Sequence, residues 1–315
     1  MEVTKMIIDA DTGVDDALAI LYALKSPRIE LQGVTTVFGN TSVGQATENT
    51  LRLLELAGAQ HVPVAAGAER ALVREPGPFS EKVHGHNGVG DAELPPTSRS
   101  ALDTFAPEWL VQQANEHEGE LVIVAMGRLT NLALALDIDP DLPKKLKKVV
   151  VMGGNIRVPG NITPVAEANI WGDPEAADRV LTAGLPLTLV GLDVTLKTRV
   201  NDSHLHYLKR YGREENREII NFIDESLQHY FGFYREVNYF QNSAPLHDPL
   251  AVIAAVHPEL LTYQTMNVRV ECEGTHTTGM VVADLRAIPM YDSPIQVCVD
   301  VDAETAEGNF LSVFL

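Results

Sequence analysis

The sequence predicts an α/β fold in which helices cover both faces of a mainly parallel central sheet. Apolar runs alternate with helical segments from residue 5 to about residue 195, which is typical of successive βαβ units. Runs such as LVIVAM and KVVVM lack the polar alternation of strands that face water on one side. Because no linker, internal repeat or low-complexity stretch interrupts the 315 residues, we expect a single domain spanning residues 1–315.

The hydrophobic period assigns the elements in chain order. Continuous apolar or β-branched runs predict strands, and apolar residues at helical spacing predict helices. Residues 67–100 are a long segment, rich in Gly and Pro, that contains the sequence HGHNG, and a loop of this length is usually functional or mobile. The predicted strands are Lys5–Ala10, Leu31–Phe38, Val62–Ala66, Leu121–Met126, Lys148–Met152, Leu187–Val190, Asn267–Val270, Gly279–Val282 and Ile295–Asp300. The predicted helices are Asp15–Lys25, Val43–Ala57, Leu129–Leu136, Arg213–Val237 (one long helix or a helix pair) and His247–Val256.

The net charge restricts the partners. The chain has 24 Lys and Arg against 43 Asp and Glu, a formal charge of −19. Nucleic acids and anionic membrane surfaces are bound through clustered basic residues, so neither is expected as a partner. No apolar run approaches the ~18 residues of a membrane span, and the first residues lack a secretory signal. Cys272 and Cys298, which form no C-x-x-C pair, are expected to be free thiols in a cytoplasmic protein.

Four carboxylates crowd into eight residues after the first predicted strand, in the sequence DADTGVDD (9–16). The helix dipole favours acids at a helix start, and either Asp15 or Asp16 could be an N-cap. Capping accounts for one or two acids, whereas four together repel each other unless a cation lies among them. Without His or Cys in the cluster, the expected ion is Ca²⁺ or Mg²⁺ rather than zinc. Gly13 stands where an EF-hand requires Asx and where the D-x-D-x-[TV] phosphatase motif requires Thr or Val, which excludes both.

The arrangement D-x-D-x-G-x-D-D resembles the signature of the inosine–uridine-preferring nucleoside hydrolases, with Thr12 where that family usually has Pro. Further segments resemble motifs of the same family, in the same order along the chain. The resemblance implies a Rossmann-like nucleoside hydrolase fold with its active site at the carboxyl ends of the strands. The segments are VFGN (37–40), HGHNG (84–88), GRLTN (127–131), MGG (152–154) with Asn161, Pro164, Glu167 and Asn169, LDVT (192–195) and HDP (247–249).

The implied reaction is hydrolysis of the N-glycosidic bond of a ribonucleoside to ribose and a free base, as in purine and pyrimidine salvage. This cleavage builds positive charge on the ribose, which carboxylates stabilise, while Ca²⁺ would hold a water and the ribose hydroxyls. By resemblance, the Ca²⁺ ligands are Asp11, Asp16, Asp248 and the backbone carbonyl of Met126. Asp11 is also the implied general base, which takes a proton from the water on the ion.

The resemblance also implies which residues contact the substrate. His247 precedes a metal ligand, so it is expected to face the same pocket and to protonate the leaving base. His84, on the 67–100 loop, is expected to contact that base. The ribose would be bound by amides and carboxylates, which suit a polyol because they offer donors and acceptors. This implied set is Asp15, Asn40, Asn161, Glu167 and Asn169.

Four aromatic residues bear on the choice of base. Tyr230 and Tyr234 lie four apart on the long predicted helix, and this spacing is more typical of the core than of a contact with the base. A purine-specific branch of the family stacks the base between tryptophans. Trp171 follows Asn169 closely, but Trp109 is in an amphipathic segment and is expected in the core. We therefore expect the inosine–uridine or pyrimidine type of preference.

Two alternative functions remain open from the sequence. A related ribosidase could act on a modified nucleoside, because base selectivity resides in loops. A non-catalytic, calcium-dependent ribose-binding protein is disfavoured, since it would need neither the base Asp11 nor the acid His247. The resemblance also implies a homo-oligomer, either a dimer or a tetramer, that takes a ribonucleoside as its substrate.

Overall fold

Strands and helices alternate through most of the chain in the computed structural model, which describes residues 3–75, 77, 79–238 and 242–315. The strands are β1 (Thr4–Ala10), β2 (Ile29–Thr36), β3 (Val64–Ala66), β4 (Val122–Ala125), β5 (Lys148–Met152), β6 (Leu187–Val190), β7 (Arg199–Asn201), β8 (Ser243–Pro245), β9 (Leu261–Val270), β10 (Val281–Asp284) and β11 (Pro294–Val301). The helices are α1 (Val14–Lys25), α2 (Val43–Leu56), α3 (Glu81–His84), α4 (Ala106–Glu116), α5 (Thr130–Ile138), α6 (Leu142–Lys145), α7 (Ala168–Gly172), α8 (Pro174–Thr182), α9 (Leu192–Thr195), α10 (Asp202–Tyr211), α11 (Arg217–Asn238), α12 (His247–Val256) and α13 (Ala303–Ser312).

Among the described residues, nine strands form one sheet in the order β10-β9-β11-β6-β5-β4-β1-β2-β3. The strands from β11 to β3 run parallel, whereas β9 pairs antiparallel with both β11 and β10. The first six strands have the Rossmann order 3-2-1-4-5-6, in which the order reverses between β1 and β4. Ligands bind outside the carboxyl ends of the strands at such a switch point, and β1 ends there, directly before Asp11.

Successive residues of the central strands pack against different helix layers. In β1, Ile8 joins a core formed with α1, α11, α12 and α13, whereas Ile7 joins a core formed with α4, α5 and α8. Val124 and Ile123 of β4 divide between the same two cores. Complete burial of an Ile or Val side chain stabilises a fold by about 1.5–3 kcal/mol, so the doubly covered sheet is a rigid platform for the loops at its edge.

The predicted α/β architecture with a mainly parallel sheet is confirmed. The bounds of β5, β6 and α12 are those predicted, and β1, α1 and α2 differ by one residue at one end. The predicted second strand was displaced by two residues, because β2 begins at Ile29 rather than Leu31 and ends at Thr36, before Val37 and Phe38. β9 begins at Leu261 rather than at the predicted Asn267. The prediction missed the first part of this strand because exposed polar residues there separate the buried ones and interrupt the apolar run.

The structure also bears on the remaining long segments. In the described part of residues 67–100, α3 is the helix present, and the rest of that segment is loop. The predicted long helix after residue 213 is a short 3-10 turn, Glu214–Asn216, followed by α11. No helix in the described ranges has the length and apolar character that crossing a membrane requires.

Candidate active site

The acids that follow β1 lie at the start of α1. The N-cap of this helix is Gly13, so neither Asp15 nor Asp16 takes the N-cap position that the sequence left open. Asp16 instead accepts hydrogen bonds from the backbone N–H of Gly13 at 2.8 Å and from that of Asp11 at 3.2 Å. These bonds satisfy donors that the first helical turn leaves free and fix the loop that carries Asp11.

Three buried carboxylates, those of Asp15, Asp16 and Asp248, come together although Asp248 is far away in the sequence. One oxygen from each lies within 4.8 Å of the other two. Asp11 lies within hydrogen-bonding reach of Asp16 at the edge of this group. Burial is the main cause that raises the pKa of all four carboxyls, and it raises the pKa of Asp15 to about 7. The four residues are called the acid cluster below.

The acid cluster suits a hard divalent cation. Its ligand atoms are oxygens alone, and oxygen donors favour Ca²⁺ or Mg²⁺ over zinc. Oδ1 of Asp15 is buried and has no hydrogen-bond partner among the described residues, so it retains unused capacity as a ligand. The neighbouring charges of Asp15, Asp16 and Asp11 raise the pKa of Asp248 further. A bound cation would remove this repulsion, and the residues present therefore fit such an ion.

Asp11 is fully buried and is held by donors on both of its oxygens. The backbone N–H of Asn40 donates to Oδ2 at 2.8 Å, and the side-chain amide of Asn40 donates to Oδ1 at 3.0 Å. Nη1 of Arg128 also donates to Oδ2, at 3.0 Å. The same amide of Asn40 reaches Oδ2 of Asp16 at 3.0 Å, so one side chain bridges two acids of the cluster. The charge of Arg128 lowers the pKa of Asp11, although burial raises it overall.

Asn169 connects the carboxyl ends of β4 and β5. Its Nδ2 donates to the carbonyl of Met126 at 2.6 Å and to the carbonyl of Met152 at 3.3 Å. A carbonyl oxygen has two lone pairs, so that of Met126 retains the capacity for a second partner. The bond fixes the direction in which the Met126 carbonyl points.

Glu167 and Asn161 make local backbone contacts in the described structure. Glu167 is the N-cap of α7, where Oε1 accepts the N–H of Asn169 at 2.9 Å and Oε2 accepts the N–H of Gly154 at 2.9 Å. Asn161 is exposed, and its Oδ1 accepts the N–H of Ala168 at 3.0 Å. The structure therefore places Glu167 and Asn169 side by side, whereas none of the contacts made by Asn161 joins it to the acid cluster.

His247 lies in a buried chain of polar groups beside the cluster. Its Nε2 is 2.9 Å from the hydroxyl of Tyr234, and its Nδ1 is 2.7 Å from the hydroxyl of Thr195 in α9. Burial lowers the pKa of His247 to about 4, so the imidazole is neutral at pH 7. The chain Tyr234–His247–Thr195 thus links α11, α12 and α9 through hydroxyl and imidazole groups that can each donate or accept a proton.

His84 reaches the cluster from the 67–100 loop, through α3. Its Nδ1 accepts the backbone N–H of Val14 at 3.1 Å and lies 3.9 Å from Oδ1 of Asp15. Its ring is tilted against that of Tyr230, with 5.8 Å between the centroids. Burial, and secondarily the positive charges nearby, lower the pKa of His84 to about 3, so this imidazole is also neutral. Because Nδ1 accepts a bond, the proton of the neutral ring is on Nε2.

The sequence pattern did not predict that a tyrosine and an arginine contact the acids of this site. Tyr230 and Tyr234 are buried, as expected for core residues, but the hydroxyl of Tyr230 donates to Oδ2 of Asp15 at 3.2 Å. Arg128 entered the sequence analysis only as part of the GRLTN segment, although its side chain contacts Asp11. The spacing of the tyrosines carried a partial signal, whereas a single Arg in a turn carried none. Trp109 lies in the apolar core, as expected.

A family model described as inosine-uridine preferring nucleoside hydrolase matches residues 6–307. The chain belongs to this family. It is therefore a nucleoside hydrolase, an enzyme that acts on ribonucleosides, and the matched range includes every residue of the acid cluster. The motifs that carried the resemblance in the sequence lie within the same range.

Curated relatives and solved structures agree with this assignment. The nucleoside hydrolase is 42% identical over 273 residues to uridine nucleosidase 1 of Arabidopsis thaliana, covering 86% of this chain and 79% of the relative. It is 36% identical over 299 residues to a pyrimidine-specific ribonucleoside hydrolase of Salmonella typhi, covering 95% of this chain and 94% of that one. A solved plant nucleoside hydrolase has a TM-score of 0.93 at 37% identity, over 99% of this chain and 98% of that one. A purine-preferring ribonucleoside hydrolase from Gardnerella vaginalis has a TM-score of 0.92 at 35% identity, with the same coverage.

Proposed function

We propose that this nucleoside hydrolase cleaves the N-glycosidic bond of ribonucleosides in a calcium-dependent reaction at the carboxyl ends of β1 and β4. The observation that carries the proposal is the acid cluster at the switch point of the sheet. Burying several acids together is unfavourable unless their charge is compensated. Cleavage of a glycosidic bond builds positive charge on the sugar, and an anionic pocket stabilises that charge more in the transition state than in the substrate.

The proposed ligands of the ion are Asp11, Asp16, Asp248 and the carbonyl of Met126. Asp15 is close enough to Asp16 and Asp248 to take part, directly or through water. When bound, Ca²⁺ would hold a water molecule and the ribose hydroxyls and would make that water more acidic. Several protein oxygens in one site favour Ca²⁺ over Mg²⁺, because Ca²⁺ takes about six to eight oxygen ligands and tolerates irregular geometry.

Asp11 is the proposed general base, which accepts a proton from water as the water attacks the anomeric carbon of the ribose. Asn40 and Arg128 hold its carboxylate in one orientation, which supports a fixed direction of proton transfer. We propose that the ribose is bound by polar groups at the carboxyl end of the sheet. This set is Asp15, Asn40, Asn161, Glu167 and Asn169.

His247, acting with Tyr234, is the proposed source of the proton for the leaving base. Both groups are neutral at pH 7, because burial lowers the pKa of His247 and raises that of Tyr234. A neutral chain of this kind moves a proton along its hydrogen bonds, so a proton donated at one end can be replaced at the other. His84 is proposed to contact the base, since its Nε2–H is the ring donor that the bond from Val14 leaves free.

The base preference and the biological setting are also proposals. Relatives with pyrimidine-specific and purine-preferring names share this fold at similar identity, which supports the view that loops and α11, rather than the sheet, select the base. We propose a role in nucleoside salvage by a cytoplasmic homo-oligomer, either a dimer or a tetramer. The free thiols of Cys272 and Cys298 are compatible with a reducing compartment.

The proposed function is tested by assaying release of reducing sugar from inosine, uridine, cytidine and adenosine. The protein is stripped with a chelator and then supplied with Ca²⁺, Mg²⁺, Mn²⁺ or Zn²⁺ in separate reactions. We expect cleavage of at least one nucleoside, restored best by Ca²⁺. Asp11→Ala should abolish turnover and weaken ion binding measured by calorimetry. Full activity of Asp11→Ala would contradict its role as base, and restoration by Zn²⁺ alone would contradict the choice of ion.

A further inference from the structure

Arg128 is an unusual group to find next to the proposed catalytic base. It lies in the turn between β4 and α5, and its side chain is 11% exposed against a fully buried Asp11. Its Nη1 donates to Oδ2 of Asp11 at 3.0 Å. A buried ion pair contributes little net stability, because the loss of hydration offsets most of the attraction. The pair therefore calls for an explanation other than stability.

The surroundings of Arg128 are shaped to hold its guanidinium in one place. The guanidinium carbon lies 5.1 Å from the centre of the Phe38 ring, in the range of a cation–π contact. A side chain at Gly39 would have its Cβ 1.9 Å from Nη1, and one at Gly172 would have its Cβ 2.1 Å from Nε. Two chain segments thus approach the guanidinium so closely that a Cβ at either glycine would displace it from this position. The arginine occupies a built cavity rather than a surface position.

The contacts of Asp11 show what this arrangement does to the carboxylate. Oδ2 accepts two N–H donors, one from Asn40 and one from Arg128, whereas the N–H donor that reaches Oδ1 in the described part of the chain is the amide of Asn40. An ionised carboxylate oxygen has about two well-directed acceptor sites, so Oδ2 is saturated. Oδ1, which shares the Asn40 amide with Asp16, is the oxygen that retains capacity for a cation or a proton.

We propose that Arg128 is a positioning residue that saturates Oδ2 of Asp11, so that this acid presents a single oxygen, Oδ1, to the ion and to water. The role rests on the proposed function, in which Asp11 is both ligand and base. Two opposing effects follow from one positive charge. Arg128 holds the Asp11 carboxylate in one orientation, which favours turnover. Its positive charge also repels the divalent ion, which weakens ion binding.

Loss of the charge should therefore change ion binding and turnover in opposite directions. Without Arg128, the positive charge that lies 3.0 Å from Oδ2 of Asp11 no longer repels a divalent ion bound at this acid. We expect Arg128→Met to bind Ca²⁺ more tightly by about threefold or more. We expect its kcat to fall by about tenfold or more, because the carboxylate can rotate, while KM changes by less than about threefold.

The experiment measures binding of Ca²⁺ alone to chelator-stripped protein by calorimetry and, separately, kcat and KM for the nucleoside that the wild type cleaves best. Arg128→Gln is a second neutral variant, which decides the question by the same two readouts if Arg128→Met does not fold. Arg128→Lys, which keeps the charge, should retain wild-type affinity for Ca²⁺ and recover part of kcat. Arg269→Met, which removes a surface ion pair with Asp178, is the control and should leave all three constants unchanged.

Tighter Ca²⁺ binding together with a lower kcat in the neutral variants would support the positioning role. A joint loss of affinity and kcat would mean that Arg128 merely maintains the local structure, and an unchanged kcat would mean that Asp11 does not depend on it. Either of these results would overturn the inference while leaving the proposed function intact. A wild-type protein that neither binds Ca²⁺ nor cleaves nucleosides would contradict the proposed function and this inference together.

Discussion

Replacing Asp15 with Asn tests whether burial of charge in the acid cluster limits the stability of the metal-free protein. Asn keeps the shape of the side chain and can still accept the hydrogen bond from Tyr230, but it removes one negative charge. Burial raises the pKa of Asp15 from 3.8 to about 7. Each pKa unit corresponds to about 1.4 kcal/mol, so the ionised carboxyl lowers the free energy of unfolding by roughly 4 kcal/mol at pH 7.5. We expect Asp15→Asn to recover a large part of this amount.

The pH dependence of this gain has a definite sign. The pKa of Asp15 is higher in the folded protein than in the unfolded chain, so between about pH 4 and pH 7 the folded state binds more protons. The wild type therefore loses stability at this group as the pH rises through that range, whereas Asn does not titrate. The difference in unfolding free energy between variant and wild type should be near zero at about pH 4 and largest above about pH 7. Removal of the Asp15 charge also lowers the pKa of Asp16 and of Asp248, which that charge raises, so the change at these two groups adds to the gain at higher pH.

The assay is urea denaturation followed by circular dichroism, at several pH values, with a chelator present. A gain of about 4 kcal/mol corresponds to a rise in the urea midpoint of roughly 1–2 M, for an m-value of about 2–3 kcal/mol per molar urea. Asp173→Asn is the matched control, because Asp173 is a buried acid outside the cluster whose Oδ2 accepts the hydroxyl of Thr130 at 2.6 Å and the N–H of Leu72 at 3.0 Å. In Asp173→Asn, an amide NH2 in place of Oδ2 would face these two donors and could not accept their hydrogen bonds. We therefore expect Asp173→Asn to be less stable than the wild type. Equal stability of Asp15→Asn and wild type across the pH range would refute the reasoning.

Two further predictions follow from single contacts. Tyr234→Phe removes the hydroxyl 2.9 Å from Nε2 of His247 and should lower kcat by about tenfold for inosine or uridine, but much less for a nitrophenyl riboside, whose leaving group needs no proton. Equal losses on both substrates would rule out proton transfer through this pair. Gly39→Ala would bring a Cβ to 1.7 Å from Oδ2 of Asp11 and should reduce kcat by about 100-fold, whereas Gly44→Ala, with no atom within 4 Å of its Cβ, should retain activity. Comparable activity of the two glycine variants would show that the position of Asp11 is not critical.

The sequence predicted the sheet better than the elements that surround it. Strands β1, β5 and β6 are buried on both faces for most of their length, so their residues are mostly apolar and the strand ends are clear. Helices such as α10, in which Leu205 and Leu208 are the buried residues, gave too weak a pattern to be predicted. The strand order was also beyond the sequence pattern, because it depends on which strands pair across the chain rather than on any single run.

The site was predictable where motif residues are adjacent and less so where distant elements meet. The acids at 9–16 are conspicuous because four of them share a few residues. Which oxygens converge was not predictable, since Asp248 meets Asp15 and Asp16 only through the packing of α12 against α1. The roles of Tyr230 and Arg128 depend on contacts with residues more than 100 positions away, and no local pattern encodes such contacts.

The hydrogen bonds accepted by Asp16 couple the start of α1 to the geometry of the proposed ion ligands. Its carboxylate accepts the N–H of Gly13 and the N–H of Asp11, while His84 accepts the N–H of Val14. Opening of this turn and loss of the ligand geometry are therefore the same local event. Hydrogen exchange at these three amides should slow when an ion or substrate binds, because binding closes that opening. The amide protons of the turn would then report occupancy of the pocket without any label or added chromophore.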